Sequence, residues 1–230
     1  MPGHRAQDGR PARTTHEWVR TRLRSAIFAG DYPPGSKLVQ TEIAEQLGIS
    51  VTPVREAMRD LINEGLVDFD PHRAATVRRI DIADAIEVNE LRLVLEPLAV
   101  RQAAEHITPE ELDHLRDLET VMEATETHQD WLEANREFHL AVIEAARAPR
   151  LAGILTHLRQ ISSYYLAAFA RVGGVDHAKS AREHRDLIAA LAEGDGDRAS
   201  AIMANHLAQT DQLTAGLSAS TPTAGADQAG

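Results

Sequence analysis

The sequence contains no cysteine, which excludes disulfides and thiolate metal sites and suits a reducing cytoplasm. Aromatic residues make up only 4% of the chain while hydrophobic residues reach 43%. A core of Leu, Ile, Val and Ala fits helix-on-helix packing better than a β-sandwich. Lysine occurs only at Lys37 and Lys179, a preference for Arg that reads as genome composition. No apolar run approaches the roughly 20 residues that span a bilayer. Met1 to Arg13 is polar and basic, unlike a secretory signal. The expectation is a soluble cytoplasmic protein of 230 residues, forming one large domain or two modest ones.

The net charge of −11 is unevenly placed. Residues 1–79 hold 12 Lys and Arg against 10 Asp and Glu, whereas residues 80–230 hold 12 against 25. A slightly basic head on an acidic body remains compatible with DNA binding, because local cations neutralise phosphates, not the total charge.

The residue pattern divides the chain at the same place. Thr14 and Glu17 form a capping-box pattern before Val19, Leu23, Ala26 and Ile27, and Gly30 ends that helix. After the turn Pro33-Pro34-Gly35, a short helix spans about 40–47 and Gly48 breaks it. A third helix starts within Ser50-Val51-Thr52-Pro53, where hydroxyls can cap and Pro is tolerated. Its apolar set, Val54, Ala57, Met58, Leu61 and Ile62, keeps the helical period without a miss. Residues 66–69 and 76–80 read as two strands around a turn. That order predicts a winged helix-turn-helix over 14–80. From 81 to 214 the pattern predicts six helices, at about 82–105, 108–126, 130–146, 149–171, 177–193 and 196–214. Short breaks between them predict a bundle in which consecutive helices are antiparallel neighbours. The fold class is therefore mainly α: a winged helix-turn-helix head and an all-α helical bundle. Residues 1–13 and 215–230 are expected to be disordered.

Opposite the apolar stripe, the third helix carries Thr52, Arg55, Arg59 and Asn63. In a helix-turn-helix the start of this helix enters the major groove, where Arg can bind guanine bidentately. A solvated charged face is the plainer reading; tight helix spacing, the Pro-marked start and the following hairpin favour DNA. At the wing tip, His72 and Arg73 can reach the minor groove or phosphates.

Residues 30–38, 42–50, Thr52-Pro53-Val54-Arg55-Glu56-Ala57-Met58 and 61–67 resemble the DNA-binding head of the GntR family. The resemblance implies dimers on palindromic operators, with Thr41, Ser50, Thr52 and Arg55 as contact positions. Two positions depart from the family. Val51 stands where Arg usually follows the capping Ser, and Ala74 stands where the wing tip usually has Gly. The loss of one cation at Val51 leads to the expectation of an operator different from the family's common half-site.

In the bundle, Asn135 and His139 are i, i+4 and flank Phe138 on an apolar face with Trp131, Val142 and Ala146. His184 falls in the stripe Ala181, Ile188, Leu191, and His206 in the stripe Ala199, Ile202, Met203, Thr210, Leu213. Three imidazoles and an amide thus face inward from three helices, as in metal sites built inside bundles. The alternative for each histidine is a hydrogen-bonded core residue. Without Cys, the set suits Zn, Ni, Co, Mn or Fe in an N/O site. Glu90-Leu91-Arg92 with Glu96 and Ala99, Asn135 to His139, Glu183-His184, and Gly194-Asp195 leading to His206-Leu207 resemble the FCD domain of the FadR-type GntR branch. That resemblance implies an effector-binding domain, with Asn135, His139, His184 and His206 as ligand positions. Metal-binding members have Asp where Asn135 stands, so a metal-free cavity holding an organic acid directly is the second option. Arg92 is the cationic candidate for a carboxylate effector; its other reading is an i, i+4 surface pair with Glu96. Tyr164 and Tyr165 fit cavity lining or packing equally.

The function expected is a sequence-specific DNA-binding transcription regulator whose operator affinity responds to a small organic acid. The join at Ile80-Asp81 leaves little slack between the two parts. Two other classes fit the residues less well. A metal-dependent enzyme on the bundle lacks an HExxH motif or a carboxylate pair at helix spacing beside the histidines. A nucleoid-type architectural protein calls for a basic body, and this one is acidic.

Overall fold

A computed structural model of the chain describes residues 14–70, 74–79, 81–173 and 176–220. It forms two compact units, Met1–Arg79 and Ile80–Gly230.

In the first unit, α1 (Thr15–Ala29) starts on a full capping box between Thr14 and Glu17. It packs on α3 (Val51–Asn63) through Val19, Leu23 and Ile27 against Val54, Ala57, Met58 and Leu61, all buried. Ile62, expected inward with them, is only half-buried. Between the two helices lies α2 (Gln40–Leu47), closed by Gly48 at φ +66°. The left-handed backbone there turns the chain sharply into α3 and suits a residue without Cβ. A charged bond ties the layers together: Arg24 Nε and Nη2 donate to the two carboxylate oxygens of Glu64 at 3.1 and 2.6 Å, both residues buried.

The hairpin differs from its sequence expectation. Strand β1 (Val67–Asp70) pairs antiparallel with β2 (Ala74–Val77), with Val67 opposite Val77 and Phe69 opposite Ala75. The second strand thus starts and ends earlier than 76–80. Tertiary pairing is the reason: Leu38 N–H donates to Ala75 O, and Val77 N–H to Ser36 O. The segment after the Pro-Pro-Gly turn holds β2 from its other edge, a partner that no local pattern announces. The wing-tip residues His72 and Arg73, like 1–13 and 221–230, lie outside the described residues.

The second unit contains α4 (Ile82–His106), α5 (Pro109–Ala124), α6 (His128–Ala145), α7 (Pro149–Gly173), α8 (His177–Ala192) and α9 (Gly196–Ser220). Hydroxyl or carboxylate caps open several of them, including a capping box between Thr108 and Glu111 at α5. α9 continues to Ser220, past the expected end at 214. Propensity explains the difference, since Gly216 is isolated among helix-tolerant residues and no Pro intervenes before Pro222. Consecutive helices are neighbours at α5–α6, α6–α7 and α8–α9, but α4 packs on α9, α7 and α6 instead of α5. The short breaks constrain reach and not partner choice, so α4 becomes the helix the others gather around. Among the described residues no helix is long and apolar enough to cross a membrane.

Candidate DNA-reading face and three-histidine centre

Burying the apolar stripe of α3 leaves Val51, Thr52, Arg55, Arg59 and Asn63 exposed, with Thr41 and Ser50 exposed beside them. Ser50 is the N-cap residue, yet its side chain makes no capping bond. The hydroxyl expected to cap the helix is therefore available to another acceptor or donor. Arg55 and Arg59 contrast with Arg24, whose charge is consumed by Glu64. Val51 is 39% exposed, an uncharged spot on an otherwise polar face.

In the second unit, the helical period puts Asn135 and His139 one turn apart on α6, both buried. Phe138, fully buried, stacks on His184 at 4.4 Å and meets His139 edge-on at 5.3 Å, locking two rings at once. α8 brings His184 and α9 brings His206. Ring centroids lie 5.2 Å apart for His139–His184, 5.1 Å for His139–His206 and 5.0 Å for His184–His206. One ligand nitrogen from each falls within 4.8 Å of the others. Three imidazoles on one tetrahedral ion, with metal–nitrogen bonds of about 2.0–2.1 Å, have centroids about 5 Å apart. The spacing therefore matches such an ion.

Hydrogen bonding sorts the ring nitrogens. His184 Nδ1 donates to Glu119 Oε2 at 3.0 Å, and His206 Nδ1 donates to Glu183 Oε2 at 2.8 Å. Carboxylates only accept, so either ring, in its neutral form, keeps its lone pair on Nε2, as metal-binding histidines do when an outer carboxylate orients them. The Nε2 atoms of His139 and His184 and the Oδ1 of Asn135 are buried without a hydrogen-bond partner. Orphaned polar atoms of this kind are costly unless something binds them. Burial pushes His206 down to about 4 against the help of Glu183, and holds His139 well below the ordinary histidine value, with Arg159 adding to the effect. Both rings are neutral at pH 7, the form that ligates metal.

Arg92 is buried, which sets aside the surface-pair reading. It does pair with Glu96, Nε to Oε1 at 2.7 Å, but inside the bundle and not on a surface; Nη1 donates to Asn89 at 3.4 Å and to Ser162. The cation that touches the histidines is Arg159 of α7, which sequence reading passed over. Its Nη2 donates to Glu96 and, at 2.8 Å, to His139 Nδ1. Burial lowers the guanidinium to about 9, with Glu96 opposing and Arg92 assisting, so it stays charged at neutral pH. Burial raises the Glu96 carboxyl, but Arg159 and Arg92 together outweigh it and hold it below the usual range. Glu119, Glu183 and Arg159 share one sequence signal. Each is a charged residue on a buried helix stripe, as Glu119 is between Leu115 and Met122. Tyr164 and Tyr165 are both buried, and Tyr165 donates to Asp84.

Comparison with known proteins resolves the architecture. A family described as "Bacterial regulatory proteins, gntR family" matches residues 15–77, and the FCD domain matches residues 87–209. The chain belongs to the GntR family, in its FCD-bearing branch. Escherichia coli K12 McbR, an HTH-type transcriptional regulator, is 32% identical over 143 residues, 61% of this chain and 65% of that protein. The chain thus aligns with just under two thirds of McbR's length. A protein named "Probable D-xylose utilization operon transcriptional repressor" from Paenarthrobacter nicotinovorans is 31% identical over 85% of this chain and 86% of its own length. Among solved structures, E. coli McbR/YncC superposes with a TM-score of 0.75 at 25% identity, covering 90% of this chain and 99% of that one. This GntR chain is accordingly a DNA-binding transcription regulator, with a winged helix-turn-helix head and a helical FCD domain.

Proposed function

We propose that this regulator binds a palindromic operator as a homodimer and that a small carboxylate held at the three-histidine centre modulates the binding. Direct operator contacts come from Thr41, Ser50, Thr52, Arg55 and Arg59, with His72 and Arg73 of the wing as further positions. The observation that carries the effector reading is the buried charge of the bundle. Glu96 faces two buried guanidiniums, Arg92 and Arg159, which leaves that cluster one positive charge in excess, while Glu119 shares Arg185, 3.7 Å away, with Glu123 and Glu183 lies 3.8 Å from Lys179. One positive charge is left over beside three orphaned polar atoms, and an anionic ligand answers both. Asn135 Oδ1 and the Nε2 atoms of His139, His184 and His206 would hold a divalent ion such as Zn, Ni or Mn. A bound ion would supply Lewis acidity towards the carboxylate. The role is that of a cytoplasmic sensor and not of an enzyme, because the carboxylates nearest the histidines are engaged on their Nδ1 atoms.

Leu91, Val94 and Leu98 form an exposed apolar row on α4, Val94 being 71% exposed, and a second copy of the chain is the occupant a palindromic operator calls for. Effector action needs different affinities for the operator-bound and free states. The test is operator retention by the full chain across a panel of small organic acids with and without divalent metal, beside His139→Ala. An acid that shifts wild-type retention and leaves the variant unmoved supports the reading. Retention insensitive to every acid overturns it.

A further inference from the structure

The three histidines are not equivalent, and the difference lies in what faces Nδ1. At His184 and His206 an acceptor faces it, so Nε2 keeps its lone pair. At His139 the partner is Arg159 Nη2, 2.8 Å away, and a guanidinium only donates. Nδ1 of His139 must then be the acceptor, and the neutral ring carries its hydrogen on Nε2, the buried nitrogen without a hydrogen-bond partner. An N–H cannot ligate an ion. Moving that hydrogen to Nδ1 would set two N–H donors against each other across the same short contact.

We infer that Arg159 is a tautomer lock: it withholds the nitrogen of His139 from a metal, and metal and a small carboxylate therefore enter the centre together. This rests on the proposed reading of the centre as a ligand site. Arg159 is anchored to Glu96 by one Nη2 hydrogen and spends the other on His139. Its Nε is buried with no hydrogen-bond partner. Nε and Nη2 together form a side-on fork of the kind that takes a carboxylate bidentately, as the same two atoms of Arg24 do with Glu64. Both Nη2 hydrogens are engaged, so an anion on the fork must displace Glu96 or His139; displacing His139 leaves the ring free to carry its hydrogen on Nδ1 and offer Nε2. Each ligand removes the obstacle to the other, which is positive coupling between them. Arg159 acts through His139 and is a positioning residue.

The decisive measurement uses metal-free full-length protein labelled with 15N in histidine. Long-range 1H–15N correlations distinguish the two neutral tautomers directly. His139 is expected as Nε2–H, with His184 and His206 as Nδ1–H; finding His139 as Nδ1–H or as imidazolium overturns the lock. This reading needs no variant and stands whether or not a substituted protein folds. Zn2+ affinity, read by competition with a chromophoric chelator, is the second arm, with acetate as the anion probe. In the wild type, saturating acetate is expected to tighten Zn2+ by about tenfold, and Arg159→Met to do so by a similar factor without acetate, in the range that outer partners of metal ligands command. In the variant, the acetate effect on Zn2+ is expected to vanish. Equal Zn2+ affinity in both proteins overturns the lock and leaves the metal site standing. Failure of both to take up Zn2+ overturns the metal reading and the lock with it.

Discussion

The exposed α3 face proposed to read DNA and the three-histidine centre solve opposite physical problems. The α3 face presents Thr52, Arg55 and Arg59 to solvent from a single helix, so its cations stay solvated. The centre draws on α4, α5, α6, α7, α8 and α9, and nearly every charge it contains is neutralised by a residue from a different turn or helix. On a surface, a charged residue needs no partner and its role can be read from its helical position. In a dry interior a charge is defined by its partner, and the partner is a tertiary fact.

Substitutions should separate the two regions by what they damage. The largest effect is expected at Phe138, fully buried and in contact with the rings of both His139 and His184. Phe138→Ala should cost about 3–5 kcal/mol in chemical denaturation of the second unit. Operator affinity per folded molecule should be unchanged if the regions are independent in the absence of effector. Arg55→Ala is the converse. It should weaken operator binding by about 1–3 kcal/mol, relax selectivity at one base position, and leave the denaturation midpoint where it was. A drop in midpoint equal to the affinity loss would mean that Arg55 has a structural partner and would erase the contrast.

A smaller effect is expected at Gly48. Its φ is +66°, but a Cβ there meets nothing within 4 Å. Gly48→Ala should therefore cost only the backbone preference, about 1–2 kcal/mol, visible in the melting of the first unit and not in the histidine centre. The smallest effect concerns His128 and His177, which share a 3.1 Å hydrogen bond at the starts of α6 and α8 with Trp131 stacked 4.4 Å from His177. Both values are lowered by burial, and that of His128 further by His177. Below pH about 6.5 the unfolded chain binds more protons at this pair than the folded one, so stability falls on acidification from that point. Melting temperatures from pH 7 to pH 5 should decline less steeply in the His128→Gln/His177→Gln double variant. An unchanged slope would assign the acid sensitivity elsewhere in the bundle.

Much of the fold was legible because local signals coincided. The Thr14–Glu17 capping box, the unbroken apolar stripe of α3 and the Gly30 and Gly48 stops each describe one helix and need no distant partner. The inward placement of Asn135 and His139 follows from the same periodicity. The outline of β2 was misjudged because its second edge is held by Ser36 and Leu38, more than 30 residues away in sequence. The pairing of Arg92 with Glu96 was legible from the i, i+4 spacing, but its burial was not, because spacing along one helix does not show what packs over it. Arg159 was overlooked because its place on a buried stripe of α7 shows burial and not partners: Glu96 and His139 come from other helices.

The sequence by itself determined which segments are helices, which faces they bury, where the chain divides into head and bundle, and which side chains α3 leaves exposed. These depend on backbone geometry and on spacing along one element. Only the tertiary structure decided that α4 is the hub of the bundle, that Arg92 bonds Glu96, Asn89 and Ser162, and which polar groups face the ring nitrogens of the three histidines. Those outcomes depend on which donor meets which acceptor once water is excluded, and that pairing is fixed when the helices dock.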